Sequence, residues 1–329
     1  MENAHPGPPL PAVPQGTLRV CWRLAILLAA VACAQATDPG PPPGPPLYVA
    51  NNQTNSITIY AAAASGNAVP VGRIAGSNTG LSHPYGIALD VAGDVFVANQ
   101  STNAITIYAP GDTGNVAPVA TIQGSNTGIS LPEGIALDPA GRLYVANKTT
   151  NSITIFEPAV IGNVAPSRTI VGAATGLNAP YGVAVDNAGN IFVTNSAGNS
   201  VTVFAATATG NAAPWATIIG ANTGLNGPLG IALYSTGGII VANSSANSIA
   251  IFAASATGNA VPVFSISGAN TGLSLPTGVA VDAGGQLYVA DFGSNTIAVF
   301  AVGASGNVSP TSTIVGGSTG LAGPAGLTF

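Results

Sequence analysis

Charge is what this chain has least of. Asp, Glu, Lys and Arg together make up 5% of the 329 residues, and only six of them are Lys or Arg. A typical soluble domain carries about a quarter. Arg19 and Arg23 lie near the start, which leaves Arg73, Arg142, Lys148 and Arg168 for everything that follows. Scattered cations in that number cannot neutralise a phosphate backbone, so nucleic acid is excluded as a partner. The histidines are His5 and His83, and the cysteines are Cys21 and Cys33. A His/Cys zinc or copper centre is therefore out of reach, and no intrachain disulfide survives removal of a leader. Neither a G-x-x-x-x-G-K-[ST] phosphate loop nor an EF-hand spacing of carboxylates occurs. Long apolar runs are also missing, since Leu24 to Ala32 is too short to span a bilayer.

Arg19 and Arg23 ahead of that apolar run read as a signal peptide within residues 1–36, so the protein is expected to be exported, to the cell envelope or beyond. Residues 1–18 are Pro-rich and fit no targeting pattern, and a true start near Leu18 or Val20 is an alternative. Two cleavage sites compete. Ala34-Gln35-Ala36 would release a soluble protein from Thr37, whereas Ala30-Val31-Ala32-Cys33 loosely resembles a bacterial lipobox and would leave Cys33 acylated as a membrane anchor. Residues 37–46 then supply a Pro/Gly-rich spacer, semi-rigid and extended.

What the chain has in abundance is self-similarity. The phrase from Pro84 to Tyr108, P-Y-G-I-A-L-D-V-A-G-D-V-F-V-A-N-Q-S-T-N-A-I-T-I-Y, returns every 48 residues without insertion or deletion. Asn51, Asn99, Asn147, Asn195, Asn243 and Asp291 close one series of landmarks, and Gly-Asn pairs from Gly66-Asn67 to Gly306-Asn307 form another. Each copy reads as four short strands rich in Val, Ile, Thr and aromatics: Gly86 to Leu89, Val95 to Ala98, Ala104 to Tyr108, and a fourth near Pro118 to Ile122. Asp90 with Gly93 suits a tight first turn, and Asn99 with Asn103 brackets the second. Apolar residues on both strand faces indicate sheets sandwiched between neighbours. The expected fold is all-β: a six-bladed β-propeller of four-stranded blades over residues 47–329. The first repeat lacks its first strand, and the last repeat ends in a spare one, Gly326 to Phe329. That strand should pair with the N-terminal blade, close the ring and leave few free edges.

The phrase resembles the NHL-repeat propellers, with Leu287 to Phe300, L-Y-V-A-D-F-G-S-N-T-I-A-V-F, the nearest in form. Ile191 to Phe204, I-F-V-T-N-S-A-G-N-S-V-T-V-F, is similar to the YVTN repeats of exported microbial surface propellers. The resemblance implies the fold from Leu47 to Phe329. It does not choose among binding scaffolds, lyases and lactonases, because a fold does not carry an activity.

Candidate site residues come from positions where a strict repeat lets the residue vary. Between Pro and Gly at the start of strand one stand Tyr85, Glu133, Tyr181, Leu229, Thr277 and Ala325, expected to encircle one solvent-exposed mouth of the central channel. Tyr85, Glu133, Tyr181 and Thr277, with His83 nearby, make a recognition surface for a protein or carbohydrate. Glu133 also resembles the metal-binding glutamate of lactonase-type propellers but lacks acidic and histidine partners. Asp90, Asp138, Asp186 and Asp282 are explained by their turns. The Asn series could offer oxygens to Ca²⁺, yet a second Asn four residues on marks side chains that bond a hairpin turn. No catalytic set and no metal site emerge, and no cofactor is expected. The reading is a secreted or surface-tethered, monomeric, non-catalytic scaffold that meets a membrane only through a lipid anchor. The alternative is a divalent-cation-dependent lyase or lactonase.

Overall fold

The computed structural model describes residues 44–329; the expected signal peptide, Cys33 and most of the expected spacer lie outside the described residues. Six antiparallel four-stranded sheets follow one another around an axis. In the second blade the strands are Pro84–Leu89, Val95–Asn99, Ala104–Tyr108 and Ala120–Gln123, within two residues of the sequence expectation. The blade that begins at Leu47 takes Pro324–Thr328 as its innermost strand. Tyr48 pairs with Thr328 and Val49 with Leu327, so the ring closes as expected.

The core lies between blades. Tyr60, Tyr108, Phe156, Phe204, Phe252 and Phe300 hold one repeat position, the end of strand three, and all are fully buried. Burying each such side chain is worth about 1.5–3 kcal/mol. Tyr60 and Tyr108 donate their hydroxyls to the carbonyls of Thr319 and Thr79. Across the closing seam, Leu47, Val49 and Tyr60 pack on Ala290, Ile297 and Ile314, as every other pair of blades does.

Polar latches reinforce this packing, and they explain the Gly-Asn series. Gly114 N–H donates to Arg73 O at 2.6 Å, and Ala75 N–H donates to Gly114 O at 2.9 Å. The loop of one blade thereby pairs with the outermost strand of the blade before it. Asn115 Oδ1 then accepts Asn78 N–H at 2.8 Å. The amide of Asn115 lies over Gly76, where a Cβ would sit 2.3 Å from Oδ1. The seam uses the same parts: Gly66 N–H to Thr313 O at 2.6 Å, and Ser318 N–H to Asn67 Oδ1 at 2.7 Å. Each outer edge is thus engaged by the next blade, which blunts it against foreign strands.

The paired Asn residues divide their work. Asn99 is fully buried; its Oδ1 accepts Ser82 N–H at 3.0 Å and its Nδ2 donates to Thr106 Oγ1 at 2.9 Å. Asn103 has φ of 51°, a left-handed conformation that Asn tolerates, and its Oδ1 accepts Leu131 N–H at 2.7 Å from the next blade. Both therefore serve the scaffold.

Candidate functional site

Each innermost strand carries a bulge at the residue the sequence leaves variable. Pro84 pairs with Asn99 but Ile87 pairs with Val97, so Tyr85 and Gly86 together oppose Ala98. A bulge re-aims side chains, and here it separates two neighbours. Gly86 faces the next blade, where a Cβ would lie 2.4 Å from Glu133 O. The same close approach runs round the axis through Gly134, Gly182, Gly230, Gly278 and Gly326. Six inner strands can converge this tightly only without side chains at those positions.

The structure differs from the sequence expectation in exposure. Glu133, Tyr181, Thr277 and Ala325 are buried rather than displayed on an open rim. The cause is the narrowness of the ring that the glycines permit. Tyr85 and Tyr181 meet across the axis edge-to-face, with ring centroids 5.2 Å apart. About 70 Å³ of channel remains among Tyr85, Tyr181, Thr277 and the glycines. The wider concavity, about 750 Å³, is lined by the turns at Asp90 and Asp138 together with Leu89, Val185 and Phe329. Asp90 Oδ1 accepts Ala92 N–H and Asp94 N–H, both at 2.9 Å, so the turn accounts for that carboxylate.

At the strand-one end of the axis sits one charged cluster. Glu133 has no exposed surface, and Gln100 Nε2 donates to its Oε2 at 2.5 Å. Lys148 Nζ forms an ion pair with Oε1 at 3.2 Å. The same ammonium lies 5.6 Å from the Tyr181 ring centroid, in cation–π range. The Tyr181 hydroxyl is buried and has no partner among the described residues. Burial pushes the Glu133 carboxyl above the usual carboxylate range, against the opposing pull of Lys148 and Gln100. Burial, and then the Glu133 charge, push the Tyr85 phenol up as well.

Of the sequence candidates, Tyr85, Glu133 and Tyr181 therefore come together, with Lys148 joining the last two. Thr277 lies beside them on the channel, but its hydroxyl sits 2.9 Å from Pro324 O and 3.1 Å from Ala290 O and is satisfied internally. His83 stands outside the cluster, exposed, with Nδ1 2.8 Å from Ser101 Oγ. Sequence reasoning missed Gln100 and Lys148 as members. Their signal was present: Asn52, Gln100, Lys148, Ser196, Ser244 and Phe292 occupy a second variable position, directly after the Asn or, in the last case, Asp291 that closes strand two.

Among known families, the NHL repeat matches residues 273–300. That stretch is one copy of the unit that recurs through all six blades. The chain is a six-bladed β-propeller with one matched NHL repeat. No curated protein sequence matches it. Solved structures similar to this propeller include a protein of unknown function from Bacteroides caccae, with TM-score 0.62 and 12% identity over 86% of this chain and 98% of that one. A chain of the nidogen/laminin complex gives 0.60 at 17% identity, over 87% and 98%. Virginiamycin B lyase from Staphylococcus aureus gives 0.53 at 15% identity, over 78% and 81%. At such identities the likeness is one of fold. Trp215 immediately precedes an outer strand, Ala216–Ile219, and is exposed, within a stretch free of charged side chains between Asp186 and Asp282.

Proposed function

We propose that this propeller is an exported, monomeric, non-catalytic scaffold that binds a protein or polysaccharide at the mouth where strand one of each blade begins. One observation carries the reading. The inner ring is otherwise apolar or small, yet it buries a carboxylate against an ammonium beside two tyrosines, at variable positions of a scaffold that repeats without a gap. A buried ion pair is poor value for stability alone, because desolvation offsets its attraction. The release of a soluble form or its retention through acylated Cys33 are both compatible with this role.

The alternative, a divalent-cation-dependent lyase or lactonase, needs oxygen ligands beside Glu133. The groups that touch its carboxylate are an ammonium and an amide nitrogen, both donors, and this set does not suit a cation. Among the described residues no three His, Cys, Asp or Glu side chains converge.

The test is binding of purified residues 37–329 to immobilised surface glycans and cell-envelope proteins, with Glu133→Ala/Lys148→Ala beside the parent. Loss of binding in the variant, at unchanged circular dichroism, supports the reading. Equal binding by both sinks it. A stoichiometric metal ion whose removal by EDTA lowers the melting temperature would instead promote the lyase or lactonase alternative.

A further inference from the structure

The cluster at the mouth has a chemistry narrower than "protein or polysaccharide". We infer that it recognises adjacent hydroxyls of a neutral sugar residue; this rests on the proposed binding role of the same mouth.

The Tyr181 hydroxyl is a buried group with no partner among the described residues, and Glu133 Oε1, also buried, is held by its ion pair with Lys148. Asn52 Nδ2, in the same variable ring as Gln100 and Lys148, is a second buried group with no partner among the described residues. Buried polar groups in folded proteins are nearly always paired, so each such atom calls for an explanation. Lys148 spans Glu133 and Tyr181, at 3.2 Å from the carboxylate and 5.6 Å from the tyrosine ring. Its side chain keeps 38% of its surface in solvent, so the ammonium can swing outward and free Glu133 Oε1.

Charge then selects the ligand. An anion drawn to Lys148 meets the buried charge of Glu133 a few ångströms away, and a cation drawn to Glu133 meets Lys148. The pair is close to neutral as a unit and discriminates against either sign. A hydroxyl group both donates and accepts. One hydroxyl can donate to Glu133 Oε1 while its neighbour accepts from Lys148 Nζ or Tyr181 Oη. The half-buried Tyr85 supplies an apolar ring for the C–H side of a pyranose. A vicinal diol on an uncharged sugar meets all of these conditions.

The experiment uses residues 37–329 and isothermal titration with hexasaccharides of glucose, mannose and galactose, and with hexagalacturonate as the charged counterpart. Two variants accompany the parent, Tyr181→Phe and Glu133→Gln. At least one neutral hexasaccharide should bind, at least tenfold tighter than hexagalacturonate, and each variant should weaken it at least tenfold. Tyr181→Phe should also melt at or above the parent temperature, because it removes a hydroxyl that the free protein leaves unpaired. A fall in melting temperature would show that the hydroxyl has an internal partner and would overturn the inference. So would binding of none of the neutral sugars, or equal binding of hexagalacturonate. If these fail while an envelope protein still binds in a Glu133-dependent way, the scaffold reading stands and only the sugar assignment falls. If nothing binds through Glu133 or Lys148, both fall.

Discussion

Replacing Ala250 by Thr should stabilise this protein, and the repeat itself supplies the calculation. At the centre of strand three the blades carry Thr58, Thr106, Thr154, Thr202, Ala250 and Ala298. In the first three the threonine hydroxyl lies 2.9–3.0 Å from Nδ2 of the buried Asn that closes strand two; in the fourth, Thr202 Oγ1 lies 3.2 Å from Asn195 Nδ2. In the fifth blade Ala250 has no hydroxyl, and Asn243 Nδ2 is buried without a partner. Space for the larger residue is present. A Cβ on Gly80 would lie 3.5 Å from Thr106 Cγ2, whereas one on Gly224 beside Ala250 would meet nothing within 4 Å. Satisfying a buried donor is worth about 1–3 kcal/mol. Burying the added methyl contributes about 0.8 kcal/mol. Ordering the new side chain and any local tightness offset part of this, for a net gain of about 1–2 kcal/mol. Guanidinium unfolding of parent, Ala250→Thr and Ala250→Val separates the two contributions, because valine supplies the bulk without the hydroxyl. Threonine should exceed valine by about 1 kcal/mol. Valine equal to or better than threonine would refute the reasoning.

Gly182→Ala places a Cβ 2.5 Å from Leu229 O on the inner ring. It should cost about 1–3 kcal/mol, read from the denaturation midpoint, and an unchanged midpoint would show that the ring has slack. Asp291 takes the place of the buried Asn in the sixth blade, and burial raises its carboxyl above the usual range despite bonds from Ser294 and Ser274. The native state then holds a proton that the unfolded chain has already released, so stability falls as pH climbs from about 4 through the raised value. Asp291→Asn should flatten melting temperature against pH across that window; an identical slope in both proteins would contradict the assignment. Asn115→Ala removes the cap on Asn78 N–H and should cost about 1 kcal/mol by the same unfolding assay. No loss would mean that solvent replaces the latch without penalty.

The fold was legible because a propeller advertises itself through period. Spacing of 48 residues, turn chemistry at Asp90-Gly93 and the spare strand at Gly326 to Phe329 led to blade number and closure without any tertiary information. The latches were less legible. Asn103 and Asn115 look like ordinary turn residues, and only the placement of the neighbouring blade turns them into ties between blades. The site was half legible. Variation within the repeat picked out Tyr85, Glu133 and Tyr181, but their burial depends on how closely the six glycines let the strands approach. That distance is a property of the closed ring rather than of any one repeat. Lys148 escaped because its partnership with Glu133 joins two segments 15 residues apart that meet only when strands one and two of the blade pair.

The ligand should meet the ring at the face where strand one of each blade begins. Amide hydrogen exchange of residues 37–329, with and without cell-envelope polysaccharide and protein fractions, addresses it directly. New protection should appear at the segments around Leu131–Glu133, Lys148 and Tyr181. Protection confined to the opposite face, around Asp90, Asp138 and Asp186, or none in any fraction, would contradict the placement of the site.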